Sequence, residues 1–306
     1  MRKSLIKILV VILFLSGLSL LAYPFAANEW NSYRQEQLID NYQSEIGQME
    51  EEGTIDYRAE EERAHAYNEA LLPSILPDSF AVAAADAEPE REYMACLNLA
   101  GDGIMGTVDI PGIEIELPVF HTTSEEVLLQ GAGHLEGSSL PVGGTSTHAV
   151  ISAHRGLPSA ALFTDLDKLE EGELFFLHVL DRTLCYEVDQ ISVVDPEDTE
   201  KLSVEEGKDL VTLLTCTPYG VNSHRLLVRG HRIPYTPDKE AEASEAVSGP
   251  SLYTNYLFWL VAGLAVTAVL VFWLYRRERK KSGNTALKHR KGTVRRRRRR
   301  KRKRRV

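Results

Sequence analysis

The sequence predicts a mainly β domain, an antiparallel barrel or sandwich, carried between two apolar segments. Three observations lead there. From Gly106 onward apolar and polar residues alternate with a period of two, the pattern of a strand with one buried face. Short runs of this kind recur as far as residue 229, separated by turn residues and few helical stretches. A polar, helix-forming part precedes them over residues 28–72, and apolar runs lie outside both ends.

Residues 8–22 are apolar behind Arg2, Lys3 and Lys7, so residues 1–27 read as either a signal peptide or an N-terminal membrane anchor. Residues 28–72 read as a helical pair. Ile39, Tyr42, Ile46 and Met49 form one apolar stripe on a charged helix, with Trp30 and Tyr33 leading in. Gly53 interrupts it, and Thr54 is placed to cap a second helix that ends before Pro73. Residues 73–103 read as a connecting loop, with Ile75, Leu76 and Phe80 as docking side chains.

Strands are expected at 106–110, 113–119, 148–153, 173–180, 183–194, 210–215 and 225–229. Pro111-Gly112 and Asp181-Arg182 supply turns, the second closing a hairpin. Ser124 caps a short helix to Leu129, and Pro158 opens another over 158–169. Residues 237–255 read as a polar linker. Residues 256–275 carry no charge over 20 positions, enough to cross the hydrocarbon of a bilayer, with Tyr256, Trp259, Trp273 and Tyr275 near its ends.

The overall charge of −9 hides an asymmetry. Residues 276–306 hold 19 Lys/Arg against Glu278 alone, whereas residues 28–275 hold 13 basic and 43 acidic residues. Basic flanks stay on the cytoplasmic side, so the acidic middle is expected outside the cell and the basic tail inside, against anionic lipid. Three cysteines, Cys96, Cys185 and Cys216, are too few and odd in number for a stapled scaffold, and the simplest reading is one functional thiol without a structural disulfide.

Cys216 closes the run Thr212-Leu213-Leu214-Thr215 and precedes Thr217-Pro218, which sets its thiol at a strand end. A thiolate there attacks acyl carbonyls. His154 closes another apolar run, and an imidazolium supplies the proton a leaving amine needs. Arg225 heads a strand, and a guanidinium there stabilises an oxyanion. Strand alternation puts Arg225 and Arg229 on one face, so the two compete, with Arg225 nearer Cys216; His224 is the decoy histidine. No His-Glu-x-x-His, Cys-x-x-Cys pair or Walker loop is present, and neither metal nor cofactor is expected.

Taken together, Thr215-Cys216-Thr217-Pro218-Tyr219-Gly220, Ser152-Ala153-His154-Arg155-Gly156 and Ser223-His224-Arg225-Leu226-Leu227-Val228-Arg229-Gly230 resemble the nucleophile, histidine and arginine motifs of sortases. Gly133-His134-Leu135-Glu136-Gly137 and Leu162-Phe163-Thr164-Asp165-Leu166 look like segments of class C, the pilin-polymerising sortases of Gram-positive bacteria. The resemblance implies an eight-stranded β-barrel over residues 104–236, with a Cys216, His154 and Arg225 site. It implies cleavage of an LPXTG-type signal between Thr and Gly through a thioacyl enzyme, and transfer to a pilin lysine amine. It also implies a lid. The family's usual Asp-Pro-aromatic order is replaced by Pro77-Asp78-Ser79-Phe80, which assigns Asp78 to Arg225 and Phe80 to the cover of Cys216.

The expected partners are pilin subunits with their sorting signals, a lysine acceptor, a cell-wall precursor and the membrane, with no nucleic acid. Two other functions compete: a housekeeping-type sortase anchoring proteins to cell-wall peptide, and a non-enzymatic membrane-tethered interaction protein. A papain-like protease fits poorly, because its local nucleophile motif is absent.

Overall fold

A computed structural model describes residues 2–71, 76–81 and 90–245, together with 258, 261–269, 272, 273 and 276. The chain divides into two compact units, residues 1–251 and 252–306. In the second, the described positions are helical and mostly exposed. The expected span over 256–275 falls partly outside the described residues, and the basic tail beyond 276 and residues 246–255 fall wholly outside them.

The first unit begins with one helix, α1 (Arg2–Glu51), in which the apolar start and the charged stripe are continuous. The helix continues through Pro24, which lies between its apolar start and its polar stripe. By length and composition this helix can cross a membrane, and its apolar stretch is not buried against the protein. Asn28 and Asn31 attach it to the barrel, accepting from Ala161 N at 2.7 Å and donating to Ser159 O at 2.7 Å. Further along, Tyr42 and Ile46 pack with Ile104 and Phe120. Trp30 and Tyr33 are exposed, so the buried stripe starts later than the sequence suggested.

The second helix, α2 (Tyr57–Ala70), is capped by Asp56, whose carboxylate accepts from Ala59 N at 3.0 Å. Thr54, the expected cap, instead donates its hydroxyl to Met49 O and closes α1. Ala64 and Tyr67 of α2 enter the main core. A short helix, α3 (Arg91–Ala95), then leads into the barrel.

Eight strands close it: β1 (Ile104–Ile110), β2 (Ile115–His121), β3 (Ala132–His134), β4 (Thr147–Ser152), β5 (Leu174–Val179), β6 (Arg182–Val194), β7 (Asp209–Thr217) and β8 (His224–Ile233). They run around the barrel in the order β1-β2-β3-β4-β7-β8-β6-β5. The sheet is mixed: β2 with β3 and β4 with β7 are parallel, which corrects the antiparallel expectation. Strand β3 was not visible in the sequence. Three residues carry no readable period, and a Cβ at Gly133 would lie 2.3 Å from Thr122 O, so close backbone approach, not alternation, defines it.

Two helices differ from expectation. The helix expected at 158–169 is a 3-10 segment, Leu162–Lys168, kinked at Phe163. Its leading amides are spent elsewhere, Ala161 N on Asn28 and Phe163 N on His154 O. The expected capped helix α4 (Glu125–Leu128) is present, with Ser124 accepting from Val127 N. The linker opens instead as a helix, α5 (Pro237–Glu245), anchored by Tyr235, whose hydroxyl donates to Glu240 at 2.6 Å and whose ring meets Phe176 edge-on.

The pleat sorts side chains between two clusters. Ile151, Val211, Leu213, Leu226 and Val228 point into the barrel. Val150, Leu214, Leu227 and Val194 form a second cluster on its outer face, roofed by Leu76 with Phe80 packed against it. All three cysteines are free thiols.

Candidate active site

The outer face of β4, β7 and β8 is where the three motif residues meet. Alternation along β7 turns Leu213 inward and Leu214 outward, so Cys216 faces outward beside Leu214. It is buried, and its register partner on β8 is Arg225. The same alternation turns Arg225 outward between inward Leu226 and the turn.

His154 lies two residues beyond the end of β4. The parallel register there pairs Ser152 with Leu214, and two more residues of the same register set His154 alongside Cys216. Three hydrogen bonds show that the register continues. Ala153 N donates to Leu214 O at 3.2 Å, Thr215 Oγ1 donates to Ala153 O at 2.7 Å, and Arg155 Nη1 donates to Thr217 Oγ1 at 3.1 Å. Arg155 is itself held by Thr164 O at 3.1 Å and Asp167 at 2.5 Å. One guanidinium thus ties the residue after His154 to the residue after Cys216.

Residues 76–81 cover this face. Asp78 grips Arg225 with both oxygens, at 2.6 Å to Nε and 2.7 Å to Nη2, and both side chains are about 10% exposed. Asp78 also accepts from Ala81 N, which rolls residues 78–81 into a turn. Phe80 lies against the His154 ring at 5.4 Å and under the Arg225 guanidinium at 5.1 Å. The fully buried Ser79 pins the turn: it accepts from Ser152 Oγ at 2.9 Å, and its carbonyl accepts from Thr123 Oγ1 at 2.9 Å. Leu76 anchors the stem, as the sequence suggested, while Ile75 falls outside the described residues.

Electrostatics favour the uncharged pair. Burial pushes the Cys216 thiol up; Arg225 opposes this and Asp78 reinforces it. Burial holds the His154 imidazole below its ordinary value, against a small opposing pull from Glu125. Under the closed segment the two groups are therefore a neutral thiol and a neutral imidazole at neutral pH.

The competing residues are engaged elsewhere. Arg229 is held by both oxygens of Asp189, at 2.9 and 3.0 Å, and by Glu205 at 2.6 Å. His224 is half exposed and faces Asp195 at 3.4 Å. Beside the covered site, a groove of about 720 Å³ runs from Leu76 between α2 and the β6–β7 connection, lined by Asn68, Ser138, His148 and Leu202. The sequence reading missed Arg155, Ser79, Ser152 and Thr123. Arg155 was written in the histidine motif, but its partners are distant in sequence.

Known proteins share this architecture. The Sortase domain profile matches residues 108–233. Sortase C of Streptococcus pneumoniae is 46% identical in a solved structure, with a TM-score of 0.60, and the match covers 66% of this chain and 98% of that one. The Group B Streptococcus Pilus Island 1 Sortase C2 is 49% identical with a TM-score of 0.53, covering 59% of this chain and 100% of that one. Sortase A of Bacillus anthracis is 26% identical over 232 residues, 75% of this chain and 95% of that relative. With the barrel, the outward thiol and these relatives in agreement, the chain belongs to the sortase family of cysteine transpeptidases, on its class C branch.

Proposed function

We propose that this enzyme cleaves an LPXTG-type sorting signal between Thr and Gly and joins the released acyl group to a pilin lysine. Cys216 is the nucleophile, His154 the proton carrier and Arg225 the oxyanion partner. Once residues 76–81 have moved away, the Cys216 thiol passes its proton to His154; the thiolate adds to the threonine carbonyl, and Arg225 stabilises the negative oxygen. The C–N bond breaks, the leaving glycine amine takes a proton from His154, and a thioester remains on Cys216. A neutral lysine amine then adds to that carbonyl and loses its proton to His154; the C–S bond breaks and the departing sulfur takes that proton back, giving an isopeptide and restoring the thiol and the neutral imidazole.

The observation that carries this reading is the plug. Asp78 occupies the guanidinium of Arg225 through both oxygens, where a developing oxyanion has to bind. Residues 76–81 are therefore a lid that leaves before substrate enters. Pilin as the substrate rests on class C neighbours, among them a sortase C whose structure concerns pilin substrate specificity and one from a pilus island. The apolar start of α1 and the apolar run over 256–275 hold the catalytic domain at the outer membrane surface, with the basic tail in the cytoplasm.

Full-length enzyme carrying Asp78→Asn and Phe80→Ala, extracted in detergent, tests the chemistry. Incubation with a sorting-signal peptide yields a thioacyl adduct on Cys216 by mass spectrometry. With pilin lysine and cell-wall peptide amine supplied together, product forms on the lysine. Product on the wall amine assigns the anchoring role instead, and absence of any adduct removes the mechanism.

A further inference from the structure

Three to four strands around the barrel from Cys216 lies a cluster for which transpeptidation has no use. Asp109 on β1, His178 on β5 and Glu240 on α5 each offer one ligand atom, and these atoms lie within 4.8 Å of one another. Register explains the first two. Thr107 pairs with His178, and Val108 with Leu177, which point inward. Thr107, Asp109 and His178 therefore share the outer face. Glu240 is held over that face by Tyr235, and its Oε1 lies 3.6 Å from His178 Nε2. The other ring nitrogen of His178 meets Thr183 Oγ1 at 3.1 Å, which fixes the ring and leaves Nε2 directed at the cluster.

The cluster is unbalanced. The half-buried Asp109 carboxylate has neither ion pair nor hydrogen bond among the described residues. Independently, Thr107 is 3% exposed and its hydroxyl finds no partner among the described residues. It lies two positions from Asp109 and directly across from His178. Buried carboxylates and hydroxyls without partners are costly.

We propose that Asp109, His178 and Glu240 bind a divalent cation of the Zn²⁺ or Mn²⁺ class and so clamp α5 to β1 and β5. Two carboxylates with one imidazole suit these borderline cations better than Ca²⁺ or Mg²⁺, which prefer an all-oxygen shell. Ligand bonds of about 2.1 Å require the three side chains to close in on the ion. The cation offsets the Asp109 and Glu240 charges, and Thr107 offers its hydroxyl to a water on an open coordination position. No motif announces the site, because its ligands come from residues 109, 178 and 240.

The test uses the full chain in detergent, freed of metal with chelator, in a Cys216→Ala background so that thiol-bound zinc is not counted. Calorimetry with ZnCl₂, MnCl₂ and CaCl₂ at neutral pH should show one saturable site for zinc or manganese, with calcium weaker, and a matching rise in Tm. Asp109→Asn, His178→Gln and Glu240→Gln should each weaken binding by at least about tenfold, with unchanged circular dichroism. With Cys216 restored, Glu240→Gln should leave thioacyl formation unchanged. Absence of saturable binding at millimolar cation overturns the proposal. So does wild-type affinity in all three variants, which would place the cation elsewhere.

Discussion

Replacing Asp78 by Asn separates the lid from the chemistry it covers. Asn keeps one acceptor oxygen, so one of the two charge-assisted bonds to Arg225 is lost. Such bonds contribute about 1.5–3 kcal/mol net, and both partners are about 90% buried, so solvent screening takes little away. At roughly 1.4 kcal/mol per factor of ten, the open population rises about 10- to 100-fold. Where opening and closing outpace the reagent, modification of Cys216 follows that population. A second effect has the same sign: Asp78 helps push the Cys216 thiol up, so removing its charge raises the thiolate fraction. The assay is the rate of alkylation of Cys216 at neutral pH, read by peptide mapping so that Cys96 and Cys185 are not counted. The pH midpoint of that rate should lie above the usual thiol range in the wild type and lower in the variant. A rate within twofold of wild type, in a folded variant, would refute the account of the lid.

Arg155→Ala should lower kcat by about tenfold or more with little change in KM, since small misplacements of reacting groups cost this much; Arg155→Lys should recover part of it, and an unchanged kcat would deny Arg155 a positioning role. Arg225→Ala should cost about 10²–10³ in turnover, as loss of an oxyanion donor does, whereas Arg229→Ala should lower Tm and spare turnover; the reverse pattern would transfer the role. His134, fully buried beside Tyr93 and Ser139, has its pKa lowered to about 4. Ring NMR should show it neutral at pH 5. Because the folded value is the depressed one, the unfolded chain takes the proton first, and His134 contributes a loss of about 3 kcal/mol as pH falls from 6.5 to 4. A His134 midpoint near 6.5 would contradict its burial.

Strand alternation made most of the barrel readable, because Ile115, Leu117 and Val119 really do share a buried face. Pairing was less readable. That β4 lies parallel to β7 depends on which distant segment completes the sheet, and nothing local to Val150 or Leu213 encodes it. Arg225 and Arg229 share a face that their own strand reveals, whereas the engagement of Arg229 by Asp189 and Glu205 is visible only in the fold. Asp78 is expected near Arg225 from the segment Pro77-Asp78-Ser79-Phe80, and its carboxylate lies 2.6 Å from Arg225 Nε. The pins around Ser79 join residues 79, 123 and 152, separations over which one sequence carries no signal. Residues 237–245 read as a linker because their composition is polar; Tyr235 and Phe176 supply the anchor that composition does not reveal.

The parallel seam between β4 and β7 joins segments about sixty residues apart, and sulfur and imidazole become neighbours only along it. A chain whose barrel has not yet zipped along that seam holds an ordinary cysteine and an ordinary histidine with no means of cooperating. On the proposed mechanism, reactivity is thus a property of the finished fold, and an immature or misassembled molecule lacks the pairing that thioacyl formation needs.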